Sequence, residues 1–137
     1  MIIYGKDRIP VQESNVLGGQ GTETEWAVFD YKAKDAPKNC SLFMEVEYPP
    51  GTGTGYHTHH GAGEIYYILS GTARYNDNGT EVTLTAGDSA VSYDGQSHCM
   101  VNDGPEPLRF LAVMFTTDQD EFDRFLDDAD YKHLEEK

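Results

Sequence analysis

A chain of 137 residues with nine Tyr and six Phe is long enough to bury one core and too rich in aromatics to be a disordered segment. Its formal charge of −14 excludes a protein that tracks nucleic-acid phosphates or clings to an anionic membrane, since both need a basic patch. Two cysteines, Cys40 and Cys99, make no disulfide framework, and no apolar run approaches the ~20 residues of a membrane span.

The N-terminus lacks the basic-then-apolar pattern of a leader peptide, so a soluble, cytosolic protein with reduced thiols is expected. One domain over residues 1–137 is expected, with a barrel core at about 40–116 and a helix plus acidic tail at 117–137. That last segment carries nine acids against three bases from Asp118 onward, which reads as a solvated face.

In chain order, Ile2-Ile3-Tyr4 reads as a short edge strand and Gly18-Gly19-Gln20-Gly21 as a flexible turn. The latter lacks the Lys-Ser/Thr ending of a phosphate loop. A strand is expected from Thr24 to Tyr31. Leu42, Met44, Val46 and Tyr48 alternate with Phe43, Glu45 and Glu47, the period of a half-buried strand, which Pro49-Pro50-Gly51 stops.

A further strand covers Ile65 to Ser70. Thr72–Tyr75 and Glu81–Leu84 face each other across Asn76-Asp77-Asn78-Gly79, where Asn-Gly supplies the positive φ angles of a tight hairpin. Strands follow at Ser89–Tyr93 and His98–Asn102. Leu108–Phe115 is almost wholly apolar and is expected to be covered on both faces. One helix is expected near the C-terminus, capped by Thr117, with Asp118, Asp120 and Glu121 at its positive end and Phe122, Phe125 and Leu126 on one face. Many short strands with frequent turns predict an all-β, antiparallel barrel or sandwich.

The stretch from Gly51 to Gly71 carries the chemistry. It holds His57, His59, His60 and Glu64, and imidazole nitrogens plus a carboxylate oxygen suit a divalent transition metal. On an extended strand His57 and His59 share one side and His60 takes the other, although a kink in the glycine-rich loop can exchange His60 with His59. Glu64 can fold back beside them, and His98 can point inward from a later strand. His133 is assigned to the surface or to a helix end.

These spacings resemble the cupin superfamily, in its small single-domain form. Gly51, His57-Thr58-His59, Glu64 and Gly71 match the family's first motif. Gly87, Gly95, His98 and Asn102 match the second, with Tyr93 standing where the family has proline. The resemblance implies a jelly-roll (double-stranded β-helix) barrel with His57, His59, Glu64 and His98 as metal ligands. It implies Mn or Fe first, with Ni, Zn or Cu as alternatives, and a homodimer.

With Glu64 inward, Tyr66, Ile68 and Met100 are expected to line the interior, while Ile65, Tyr67, Leu69, Cys99 and Val101 face out. Glu64 and Tyr66 are the candidate catalytic groups, Tyr66 standing equally as a packed wall residue. Arg74 and Arg109 are expected in surface ion pairs. The expected function is a metal-dependent enzyme on a small organic substrate, an oxygenase slightly ahead of a lyase or isomerase. The alternative is a metal-containing small-molecule binding or sensing module without catalysis.

Overall fold

The computed structural model describes residues 1–127. It contains ten strands: β1 (Val11–Ser14), β2 (Thr22–Phe29), β3 (Cys40–Tyr48), β4 (His57–Thr58), β5 (Ala62–Ser70), β6 (Thr72–Asp77), β7 (Thr80–Thr85), β8 (Ser89–Ser92), β9 (Ser97–Val101) and β10 (Leu108–Thr116). A helix, α1 (Gln119–Leu126), follows them. The strands form a six-stranded sheet, β1-β2-β3-β10-β5-β8, and a four-stranded sheet, β4-β9-β6-β7. Every paired neighbour is antiparallel. The result is a jelly-roll barrel in which two sheets bury their inner faces against each other.

Alternation decides what is inside. Along β3, Leu42, Met44, Val46 and Tyr48 are buried and the residues between them are half-exposed, so each apolar side chain leaves water once per pleat. Tyr66 and Ile68 of β5, Ala73 and Tyr75 of β6, Met100 of β9, and Leu108, Phe110 and Ala112 of β10 complete the same cluster. The central strand β10 pairs with β3 on one side and β5 on the other, yet it is covered on one face and not, as its apolar run predicts, on both: Leu108, Phe110 and Ala112 are buried while Arg109, Leu111 and Val113 between and beside them are half-exposed. The β6–β7 hairpin turns at Asn78 (φ 52°) and Gly79 (φ 100°), the left-handed pair that Asn-Gly predicts.

Three further expectations are corrected. Ile2-Ile3-Tyr4 forms no strand: all three are exposed, having no sheet edge beside them, and the edge is taken instead by β1. The Gly18–Gly21 segment is pinned, because Gln20 and Gly53 exchange backbone hydrogen bonds of 2.9 Å in both directions. A Cβ on Gly19 would lie 2.1 Å from the Gly53 carbonyl oxygen, so glycine serves close approach there. Helix α1 is capped by Asp118, whose side chain accepts from the Glu121 N–H; the Thr117 hydroxyl donates to Asp94 instead. His133 and the acidic tail beyond 127 lie outside the described residues.

Candidate metal centre

Strand pairing delivers the histidines. His57 lies directly across from His98 in the β4–β9 ladder, so the two imidazoles leave the sheet on one face. His59 lies just past β4, yet its N–H donates to Gln96 O and its carbonyl accepts from Gly95 N–H, each at 2.9 Å. That bracket continues the extended path and keeps His59 on the side of His57. Glu64 comes from β5 of the opposite sheet. The site therefore straddles both layers of the barrel.

Four side chains converge. His59 Nε2 stands 2.9 Å from His98 Nε2, and His98 Nε2 stands 3.1 Å from His57 Nε2. Glu64 Oε1 lies 3.2 Å from His98 Nε2 and 3.7 Å from His59 Nε2. All four ligand atoms fall within 4.8 Å of one another. Three imidazole nitrogens facing one point repel each other unless protons or a cation sit between them, and this donor set fits a divalent transition metal.

The outer ring atoms fix the orientation. His57 Nδ1 donates to Gly55 O at 2.7 Å, which leaves its Nε2 lone pair toward the cluster. Tyr75 Oη lies 2.7 Å from His98 Nδ1; with Nδ1–H donating to it, the His98 Nε2 lone pair points the same way. Partners of this kind orient metal-binding imidazoles.

Electrostatics favours the ligand-competent forms. Burial, then the neighbouring His98, pushes the His57 pKa down. Burial lowers His59 to about 4, with Glu64 opposing and His98 and His57 reinforcing. For Glu64, burial acts upward, but the hydrogen bond and charge of His98, with His59 and His57, hold its carboxyl below the ordinary value. Near neutral pH the pair of imidazoles is therefore uncharged and the carboxyl ionised, the states that bind metal.

His60 is excluded from the cluster. Its ring packs at 5.3 Å from the Phe125 ring, and its Nδ1 lies 3.8 Å from Glu121 on α1. Strand parity thus decides for His59. Tyr66 is buried and stacks on His98, with ring centroids 5.1 Å apart at 22°. Met100 and Ile68 are fully buried, while Ile65, Tyr67 and Leu69 are exposed on the outer face. Arg74 pairs with Glu81 and Asp103, and Arg109 with Glu45 and Glu47, both as surface ion pairs.

The cluster opens on a cavity of about 430 Å³, within the range of organic-ligand pockets. Its walls include residues that were not expected to line a ligand site. Tyr48, whose hydroxyl bonds Thr54 Oγ1, Leu17 from the N-terminal segment, and Phe122 of α1 all face it. So do Glu13 and Glu23, both buried. The period of β2 held the signal for Glu23: Glu23, Glu25 and Ala27 face the cavity, while Trp26 lies beneath the Arg109 guanidinium at 4.6 Å on the other side.

A two-sheet antiparallel barrel with three histidines and a glutamate gathered at one end of its interior defines a jelly-roll protein with a candidate metal centre. The cupin domain profile matches residues 44–114, and the chain belongs to the cupin family. An oxalate-binding protein of Thermotoga maritima is 40% identical over 115 residues, 83% of this chain and 93% of the relative. The crystal structure of a predicted oxalate decarboxylase from Thermotoga maritima superposes with a TM-score of 0.77 at 35% identity, covering 85% of this chain and 99% of that one. An RmlC-like cupin from Shewanella frigidimarina shares the fold at 17% identity, with a TM-score of 0.64 over 84% of this chain and 88% of that one.

Proposed function

We propose that this cupin is a metal-dependent enzyme acting on a small organic carboxylate, with His57, His59, Glu64 and His98 holding a divalent ion, Mn or Fe first. The observation that carries the reading is the convergence of three Nε2 atoms and Glu64 Oε1 within 4.8 Å at the wall of a cavity. The names borne by the Thermotoga relatives, oxalate-binding protein and predicted oxalate decarboxylase, move the preference from oxygenase chemistry toward carboxylate binding and decarboxylation. When bound, such an ion supplies Lewis acidity toward a carboxylate or carbonyl oxygen.

The chain's own residues orient and shield. Burial, then the charge of Glu64, raises the Tyr66 pKa well above 10, so its hydroxyl keeps its proton and serves a ligand as a donor rather than a base. Tyr75 holds the His98 ring in place. Phe110, Ala112 and Met114 supply apolar wall, which strengthens polar contacts inside.

The second reading is a metal-containing binding module without turnover. It is favoured by the name of the oxalate-binding relative and by a cluster whose one carboxylate, Glu64, belongs to the ligand set. Ile65, Tyr67 and Leu69 on the outer face of β5 fit a homodimer, and two free cysteines fit a reducing cytosol.

Elemental analysis of the isolated protein tests the metal, and carbon dioxide release against oxygen uptake with oxalate and its homologues separates the reactions. About one ion per chain is expected, absent from His57→Ala and Glu64→Ala. Metal-free protein whose melting temperature ignores chelators overturns the reading.

A further inference from the structure

The register of the large sheet maps the floor of the cavity. Glu64 lies across from Met114, and Met114 across from Leu42. One pleat on, Tyr66 lies across from Ala112, Ala112 from Met44, and Met44 from Ala27. All of them line the cavity, so these two rows lead from a member of the histidine cluster over β10 and β3 to β2. Beyond Glu64 and the Tyr66 hydroxyl they carry no polar side chain. Strand spacing puts Leu42 two strands, or about 10 Å, from the strand of Glu64.

The protein's own packing does not cover this floor. Leu42, Met44 and Ala112 are buried, but Met114 stays half-exposed and Ala27 exposed, although both line the cavity. Apolar surface held open inside a barrel is unfavourable until an apolar group takes the place of water. The carboxyls of β1 and β2 enter from other rows: Glu25 lies across from Val46, and Glu23 from Glu13. Burial before all else drives the Glu23 pKa well up, which favours an uncharged group in that wall.

We infer that the ligand is a carboxylate with an apolar body, an aryl ring or alkyl chain laid across β10 and β3 with its head toward Glu64, and not a two-carbon diacid. This rests on the proposed metal-dependent reading and specifies its substrate class. The cavity of about 430 Å³ has the volume of about fourteen waters, well beyond what a two-carbon diacid displaces. Such a diacid also has no apolar surface to set against Met114, Leu42 and Met44. Phe122 and Leu126 of α1 add further apolar wall to the same cavity.

Calorimetric titration of the Mn-loaded full chain with α-keto carboxylates tests the assignment, because the head is constant and only the body changes. Affinity is expected to rise about three- to fourfold with each methylene from pyruvate to α-ketohexanoate. It is expected to be at least about tenfold greater for α-ketohexanoate than for α-ketoglutarate, which ends in a second carboxylate. Ala112→Val narrows the floor and Met114→Gln makes it polar at a half-exposed position; each is expected to erase most of the gain from pyruvate to α-ketohexanoate while manganese stays at one per chain. Affinity flat with chain length, or a gain that survives both substitutions, overturns this inference and leaves the metal reading standing. So does α-ketoglutarate bound as tightly as α-ketohexanoate, the result if Lys32 of the cavity wall took the second carboxylate. A wild-type chain that takes up no metal overturns both.

Discussion

Individual side chains set the tuning of the centre. Tyr75 is not one of the four converging side chains, yet its hydroxyl lies 2.7 Å from His98 Nδ1 in a fully buried setting. Tyr75→Phe keeps the ring and removes that partner. Metal affinity is expected to fall about 10–100-fold, read by chelator competition, with the melting temperature of the metal-free protein nearly unchanged. His60→Ala, in contrast, should leave affinity at the wild-type level, since His60 faces α1.

Glu23 tunes stability in the opposite direction. A carboxyl whose folded pKa is raised stabilises fully below its ordinary value of 4.5, and that contribution is lost as pH climbs through the raised folded value. Metal-free Glu23→Gln lacks this loss. The melting temperature of the variant minus that of wild type is therefore expected to grow between about pH 5 and about pH 8; a difference that stays flat would show that Glu23 ionises as freely in the fold as in the unfolded chain.

At the scale of elements, the loop after β4 is seated against the helix start. The carbonyl of Gly61 accepts from both the Thr117 and Asp118 N–H groups. Gly61 has φ 75°, and a Cβ there would lie 2.4 Å from Phe122 N. Gly61→Ala pairs a left-handed strain of about 1–2 kcal/mol with a backbone clash. It is expected to destabilise the protein by at least that much and to raise hydrogen exchange in α1 before it does so in β10.

Much of this was legible in the sequence. Strand alternation located the interior residues of β3, β5 and β9, and Asn78-Gly79 located the hairpin, because pleat and turn chemistry act locally. The side by side placement of His57 and His59 was legible because strand parity puts them on one face. The N-terminal region was not. In β1 and β2 the interior is a partly polar cavity, so Glu13 and Glu23 point inward and Trp26 outward, the reverse of an apolar-in pattern. Ile2 and Ile3 had β-branched character but no neighbouring edge, and pairing is a tertiary fact. The Gly18–Gly21 segment looked flexible because its anchor, Gly53, is far along the chain.

For the whole molecule, the two faces of the large sheet serve different ends. The inner face holds Glu64 and the cavity. The outer face of β5 and its neighbour β8 shows Ile65, Tyr67, Leu69 and Val91, each 36–44% exposed, a contiguous apolar strip of the kind that marks an interface. Analytical ultracentrifugation is expected to give the mass of a dimer. Tyr67→Lys with Ile65→Lys should give that of a monomer with its metal content intact, and a wild-type monomer at high concentration would exclude the homodimer.

Asp94 links these scales. One of its oxygens accepts from Gly61 N–H at 3.0 Å and the other from the Thr117 hydroxyl at 2.8 Å. A single carboxylate thus ties together the turn before His98, the loop after His59 and the start of the helix that brings Phe122 to the cavity. None of the three can swing out without breaking a bond to the same group. Opening of the loop beside the histidine cluster and release of the helix start are therefore one event, sharing one latch rather than two independent doors.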